Sequence, residues 1–160
     1  MSDALDPIHL LRLLHERGVE HIVVGSFAVT AHGFTRMTKG LDTVPNPTEG
    51  NLTKLSQALL DLEATSLDAG GFTSPDPPRQ ADLAQGGNFY LHTHLGRLDI
   101  MQWVSGIDAD DPYAELNREA LAGTVDDVPV RVCGLGHLRA MKRAAGRPLD
   151  LEDLARLGED

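Results

Sequence analysis

The stretch over residues 21–45 constrains the fold more tightly than any other part of the chain. It opens with the apolar run HIVV, turns at Gly25-Ser26, continues through small residues and closes on residues 41–44. β-Branched residues favour strands, and Gly followed by a helix-capping Ser is typical of a tight turn. The pattern therefore predicts a strand, a short helix that Ser26 caps, and a second strand. That second strand carries one acidic side chain, Asp42.

Helical and alternating patterns recur through the rest of the chain. Apolar residues at helical spacing, bounded by Pro or Gly, predict helices, whereas alternation or a short β-branched run predicts strands. Residues 64–88 are crowded with Gly and Pro, so a long, mobile loop is predicted there. Further helices are predicted at about 6–18, 48–62, 111–121, 135–146 and 148–157, and further strands at 89–93, 97–101 and 128–132.

This order of elements predicts an α/β (α+β) fold in which helices flank a mixed β-sheet. The length of 160 residues fits a single domain over residues 1–160 that ends in helices at about 135–158. No run approaches the ~20 apolar residues of a membrane span, and the start of the chain lacks a signal-peptide pattern. We therefore expect a cytoplasmic protein without a membrane partner. The net charge of -10 argues against a broad nucleic-acid-binding surface but not against a local basic pocket.

Two acidic residues, Asp42 and Asp99, each fall inside a short predicted strand. Aspartate is disfavoured in strands, so both positions call for a reason. If the two strands are neighbours, the carboxylates can share a cation, and Mg²⁺ is commonly held by one or two carboxylates together with substrate phosphates. The alternative is that both acids face solvent on edge strands.

Glycine, serine and basic residues supply candidate phosphate contacts. Gly25 lets the backbone approach a phosphate closely, and Ser26 can donate to a phosphate oxygen. Arg36, with the nearby Lys39, and Lys142 can neutralise phosphate charge. The alternatives are a tight turn capped by Ser26, solvated loop cations, and cations that complement helix C-termini.

Read together, these pieces resemble the nucleotidyltransferase superfamily, which has the DNA polymerase beta-like fold. The match is most evident with its small AbiEii-type and minimal nucleotidyltransferase branch. The matching motifs are Gly25-Ser26, Ala31-His32-Gly33, the segment RMTKGLD over residues 36–42, GRLD over 96–99, and KRAAGRPLDLEDL over 142–154. They occur in the family's order and cover nearly the whole chain.

The resemblance implies a role for each candidate residue. Gly25 and Ser26 would contact the phosphates of a nucleoside triphosphate (NTP), and Lys142 would neutralise the triphosphate. Asp42 would bind Mg²⁺, and Asp99 would help to activate the attacking hydroxyl. Asp150 and Asp153 would cap and solvate the last helix or form a structural salt link.

Gly40 departs from the family pattern, which has its first metal-binding Asp two residues before Asp42. Glycine supplies no ligand, so transfer should be severely slowed. Three interpretations stay open: a naturally silent member that still binds nucleotide, an inactivated variant of an active enzyme, or substitution by another acid such as Glu49.

The resemblance also implies the reaction and the partners. A nucleotidyl group would move onto a hydroxyl of RNA, protein or a small molecule, and an antitoxin partner is implied because many members of this branch belong to toxin–antitoxin pairs. The competing hypothesis is a catalytically silent nucleotide- or partner-binding module of the same fold.

Overall fold

The computed structural model describes residues 6–34, 40–67, 73–74 and 76–158. No helix in these ranges has the length and apolarity that would let it cross a membrane. The helices are α1 Pro7–Glu16, α2 Gly25–Ala31, α3 Glu49–Asp61, α4 Gln80–Ala84, α5 Pro112–Asn117, α6 Leu135–Ala145 and α7 Pro148–Leu157. The strands are β1 His21–Val24, β2 Gly40–Pro45, β3 Thr65–Leu67, β4 Thr73–Ser74, β5 Phe89–Thr93, β6 Gly96–Ile100, β7 Leu121–Val125 and β8 Val128–Val132.

The strands form one mixed eight-stranded sheet in the order β4-β3-β5-β6-β2-β1-β8-β7. β1 pairs antiparallel with β2 and parallel with β8, while β2 pairs parallel with β6. The predicted α/β fold with a helix-flanked mixed sheet is thus confirmed. The stretch over 21–45 supplies the two central strands, β1 and β2, and the short helix between them.

The two faces of the sheet differ sharply at its centre. Leu41, Leu98 and Leu91 occupy one cross-strand row of β2, β6 and β5, and each is fully buried. The next row consists of Asp42, Asp99 and Tyr90. Because successive side chains of a strand point to opposite faces, the leucine row lies on the core side and the acid row on the other. The apolar alternation therefore fixes which way both acids point.

The segment over 64–88 contains more structure than the predicted loop. It includes β3, β4 and α4, and β3 pairs antiparallel with β5. These elements are two to five residues long, and such short pieces gain their stability from tertiary pairing rather than from their own sequence. The prediction of an unstructured loop was wrong for this reason, while its mobility stays a prediction.

Strand β7 is the other element that the sequence analysis missed. The predicted helix over 111–121 ends at Asn117, and β7 forms a hairpin with β8 across Asp126 and Asp127, whose φ angles are +46° and +66°. Asp tolerates this left-handed region, which two-residue hairpin turns require. β7 is an exposed edge strand, so burial imposes no alternation on its sequence.

A buried ion-pair network joins the last two helices. The Lys142 amine lies 3.4 Å from Asp150 Oδ1 and 3.0 Å from Asp153 Oδ2. All three side chains are almost fully buried, the Lys142 side chain being 7% exposed. Asp150 also accepts the backbone N–H of Arg147 at 3.1 Å, so it caps α7. The predicted cap and salt link are both present, but in the interior rather than in solvent.

Removal of the Lys142 amine should therefore destabilise the protein strongly. Lys142→Ala removes the amine that the buried Asp150 and Asp153 carboxylates share, and we expect the free energy of unfolding to fall by about 3–5 kcal/mol. Arg156→Ala is the matched control, because its pair with Glu152 is exposed and should be worth below ~1 kcal/mol. Denaturant titration of both variants measures the difference, and equal losses would contradict a structural role for the network.

Candidate active site

The two predicted acids lie side by side. Asp42 and Asp99 are register partners on the parallel strands β2 and β6, whose backbones lie about 4.8 Å apart. Both line a cavity of about 410 Å³. Its lining consists of Ser26, Gly40, Asp42, Arg97, Asp99, Arg147, Pro148, Leu149 and Asp150. The edge-strand alternative does not hold, because β2 and β6 are both interior strands.

Burial and the neighbouring Asp99 change the protonation of Asp42. Burial, then the charge of Asp99 and a hydrogen bond with it, raise the pKa of Asp42 to about 7, against the opposing charges of Arg97 and Lys142. Arg97 Nε donates to Asp99 Oδ1 at 3.1 Å. Near neutral pH Asp42 therefore retains part of its proton, which a divalent cation would displace.

Gly25 is required at its position by the proximity of Asp42. It has a φ angle of +74°, and a β-carbon there would lie 2.3 Å from Asp42 Oδ2. Only glycine permits both the left-handed backbone and this approach. Gly25 thus sets the Asp42 carboxylate directly against the turn that leads from β1 into α2.

Ser26 lines the cavity but does not cap α2. The capping residue is Val24, and it makes no side-chain cap hydrogen bond. The predicted capping role of Ser26 was wrong, because the helix begins two residues earlier than expected, at Gly25, and places Ser26 inside its first turn. Its hydroxyl is left to the cavity that also contains Asp42.

The basic residues at the cavity differ from the predicted set. Lys142 is not part of the lining, and its amine is engaged by Asp150 and Asp153. Its contact with a triphosphate stays a prediction. Arg97 and Arg147 line the cavity instead, and Arg147 donates from Nε to Asp150 Oδ2 at 2.6 Å while its side chain is 76% exposed. Arg97 could have been found by strand alternation, since it precedes Asp99 by two residues.

Two further sequence candidates, Gly40 and Glu49, can be placed in the structure. Gly40 lines the cavity and is the register partner of Arg97. Glu49 begins α3 beyond the far end of β2 and is not part of the lining, which argues against its substituting for a missing acid. Arg36 and Lys39 lie outside the described residues.

The acids fit a metal shared with a substrate better than a metal held by protein alone. No group of three or more His, Cys, Asp or Glu side chains that could hold a metal ion occurs among the residues that the structure describes. Two adjacent carboxylates of which one has a raised pKa form a favourable place for a hard cation. Mg²⁺ is commonly bound in this way, with phosphate oxygens and water completing its shell.

The chain has the fold of nucleotidyltransferases. It superposes on the lincosamide antibiotic adenylyltransferase LnuA in its lincomycin-bound form with a TM-score of 0.65, at 13% sequence identity, over 98% of both chains. ANT(2″)-Ia in complex with adenylyl-2″-tobramycin gives 0.59, at 18% identity, over 94% of this chain and 84% of that one. A putative nucleotidyltransferase from Thermotoga maritima gives 0.57, at 14% identity, over 92% and 87%. No protein-family profile matches the chain, and no curated protein does.

Replacing Gly25 should cost more than replacing another glycine of the same backbone conformation. Gly25→Ala combines left-handed strain with a clash against Asp42, whereas Gly33→Ala has a φ angle of +96° but meets no atom within 4 Å. We expect losses in unfolding free energy of roughly 3 kcal/mol and 1 kcal/mol respectively. Thermal or chemical denaturation measures both, and similar losses would show that the Asp42 contact contributes nothing.

The raised pKa of Asp42 predicts a specific pH dependence of stability. Between the unfolded value of 3.8 and the folded value of about 7, the folded chain binds more protons than the unfolded chain. Stability from this group is therefore greatest below pH 3.8 and is lost as the pH rises to about 7. We compare the native protein with Asp42→Asn, both in the presence of a metal chelator. Across this pH window the free energy of unfolding of the native protein should fall by on the order of 2–4 kcal/mol more than that of the variant.

Denaturant titrations at several pH values measure this difference. The partly buried His21, whose pKa desolvation lowers to about 4, has the opposite pH dependence but is common to both proteins. The comparison therefore isolates Asp42. Parallel stability curves for the two proteins would contradict the raised pKa of Asp42, which burial and the neighbouring Asp99 produce.

Proposed function

We propose that this protein is a nucleotidyltransferase that binds an NTP with Mg²⁺ and moves a nucleotidyl group onto a hydroxyl acceptor, with a transfer step impaired by Gly40. The observation that carries the proposal is the register pairing of Asp42 with Asp99 inside the cavity. The fold shared with LnuA and ANT(2″)-Ia supports the same class of chemistry.

Each cavity residue has a role in this proposal. Gly25 and Ser26 contact the phosphates from the β1 side, and the exposed guanidinium of Arg147 pairs with the triphosphate as a bidentate donor. Asp42 and Asp99 hold the cation, which when bound neutralises charge on the phosphates and aligns the reacting groups.

The transfer itself exchanges one phosphorus–oxygen bond for another. A bond forms between the acceptor oxygen and the α-phosphorus, the bond to the bridging oxygen breaks, and pyrophosphate leaves with the electron pair. Asp99 accepts the proton of the acceptor hydroxyl. Its hydrogen bond from Arg97 Nε holds the carboxylate in place for this step.

Gly40 limits this chemistry. An Asp at this position would lie on the same strand face as Asp42 and would add a third carboxylate to the cavity. Without it, a cation has fewer ligands and is less firmly placed. Nucleotide binding therefore persists while the rate of transfer falls.

A catalytically silent binding module is the second candidate, and the packing around Gly40 favours it. A β-carbon at Gly40 would lie 3.1 Å from Arg97 Cβ and 3.2 Å from the Arg97 carbonyl oxygen. The cavity is thus packed around glycine. In this candidate the protein binds nucleotide or a partner without turnover.

The biological setting is proposed from the resemblance alone. A place in an AbiEii-type toxin–antitoxin pair would supply an antitoxin partner and a cytoplasmic location. RNA, a protein side chain and a small molecule all offer the hydroxyl that the transfer needs.

Restoring a carboxylate at position 40 should separate the two candidate functions. Gly40→Asp should raise the transfer of label from radiolabelled NTPs by at least about tenfold, since a lost metal ligand commonly costs that much or more. Gly40→Ala is the matched control, because it meets the same Arg97 contact without adding a ligand. Label is measured in the RNA, protein and small-molecule fractions of a cell extract.

Two outcomes would contradict parts of the proposal. If Gly40→Asp binds Mg²⁺ and NTP but transfers no label, the protein is a binding module rather than an enzyme. If Asp99→Asn leaves Mg²⁺-dependent nucleotide binding unchanged in calorimetry, the cation does not lie between Asp42 and Asp99.

A further inference from the structure

The row of side chains that contains the two acids continues beyond them onto an exposed part of the sheet. Tyr90 of β5 is the register partner of Asp99, and His92 is the register partner of Arg97. Tyr90 is 41% exposed and His92 is also exposed, whereas Leu91 between them is fully buried. We call Tyr90, His92 and Arg97 the β5 surface.

The order of strands places the β5 surface on one particular side of the acids. The sheet runs β1-β2-β6-β5, so Gly25-Ser26 at the end of β1 lies on one side of Asp42 and Asp99, and Tyr90 lies on the other. In-line transfer needs the attacking and leaving oxygens on opposite sides of the phosphorus. With the phosphates at Gly25-Ser26, the acceptor approaches over β5.

The charge of the β5 surface restricts which acceptors it can hold. Arg97 uses Nε for Asp99, and its two terminal amino groups have no hydrogen-bond partner among the described residues. Apart from Asp42 and Asp99, which the proposed function assigns to the metal cation, the described cavity lining contains one carboxylate, Asp150, whose oxygens accept from Arg147 and Lys142. Once the metal site is filled, a polycation would therefore find a guanidinium and no further available carboxylate.

Tyr90 adds a second element of recognition. Its half-exposed ring stands next to Asp99 and offers an apolar face with a polar tip. Such a face packs against the flat side of a sugar or another ring. The distance between adjacent strands is about 4.8 Å, so a ring on Tyr90 can bring a hydroxyl to Asp99.

We propose that the β5 surface binds the acceptor, and that this acceptor is a hydroxylated ring compound that carries an anionic group. Arg97 pairs with the anion, Tyr90 packs on the ring and Asp99 receives the hydroxyl proton. This inference rests on the proposed function and adds the class of its acceptor. That class differs from the aminoglycoside in the ANT(2″)-Ia complex, which is a polycation.

Matched fluorescent glycosides test the charge preference. The native protein is saturated with Mg²⁺ and α,β-methylene-ATP and titrated with 4-methylumbelliferyl glucuronide, with the corresponding neutral glucoside and with tobramycin. A charge-assisted hydrogen bond should make the glucuronide bind about tenfold or more tightly than the glucoside. Tobramycin should bind most weakly. Tobramycin binding equal to or tighter than glucuronide binding, or no glycoside binding at all, would overturn the inference.

Variants of the β5 surface test its location. Tyr90→Ala should weaken binding of both glycosides about tenfold and Tyr90→Phe should not, because the ring is retained. Arg97→Gln should remove the preference for the glucuronide. Leu121→Ala is the control, since this exposed residue lies on the edge strand β7, which β2, β1 and β8 separate from β6. Unchanged glycoside binding in Tyr90→Ala would overturn the location.

The nucleotide titration distinguishes the two levels of failure. If neither α,β-methylene-ATP nor the corresponding GTP, CTP and UTP analogues bind, the proposed function is wrong. If one of them binds and the glycosides show no charge preference, only the assignment of the acceptor is wrong.

Discussion

Two carboxylates held at the same level of neighbouring strands repel each other, and the rest of this sheet keeps them together. The row of buried leucines on the opposite face supplies the stabilisation that sets their direction. Gly25 leaves room for the Asp42 carboxylate because it has no β-carbon, and Arg97 offsets the charge of Asp99. The raised pKa of Asp42 is the residual cost of this arrangement. A site that is electrostatically unfavourable when empty is well suited to a cation.

The C-terminal helices support the same site from a distance. Lys142 holds Asp150 in the interior, and Asp150 in turn receives two hydrogen bonds from the Arg147 guanidinium. Arg147 reaches the cavity because this network fixes the start of α7. Lys142, whose contact with a triphosphate stays a prediction, thus also has a structural role that positions a different cation. The charge of Lys142 does not distinguish a phosphate-binding role from a structural one, because the burial of its side chain depends on how α6 packs against α7.

The sequence was informative wherever burial imposed a pattern on it. The central strands, the long helices and the pairing of Asp42 with Asp99 follow from alternation and from motif order. β7 and the short elements within 64–88 were missed, because exposed or very short elements carry little pattern of their own. The roles of Arg97 and Arg147 depend on which strands and helices meet, and that information is not local in the chain.

The packing of Gly40 against Arg97 has a consequence for the strand beside it. A β-carbon at position 40 would meet both the side chain and the carbonyl of Arg97, at 3.1 Å and 3.2 Å. Any side chain at this position therefore requires β6 to give way by a few tenths of an ångström. The contents of the cavity and the backbone of β6 are thus coupled, so a substitution at position 40 also shifts the strand that carries Asp99.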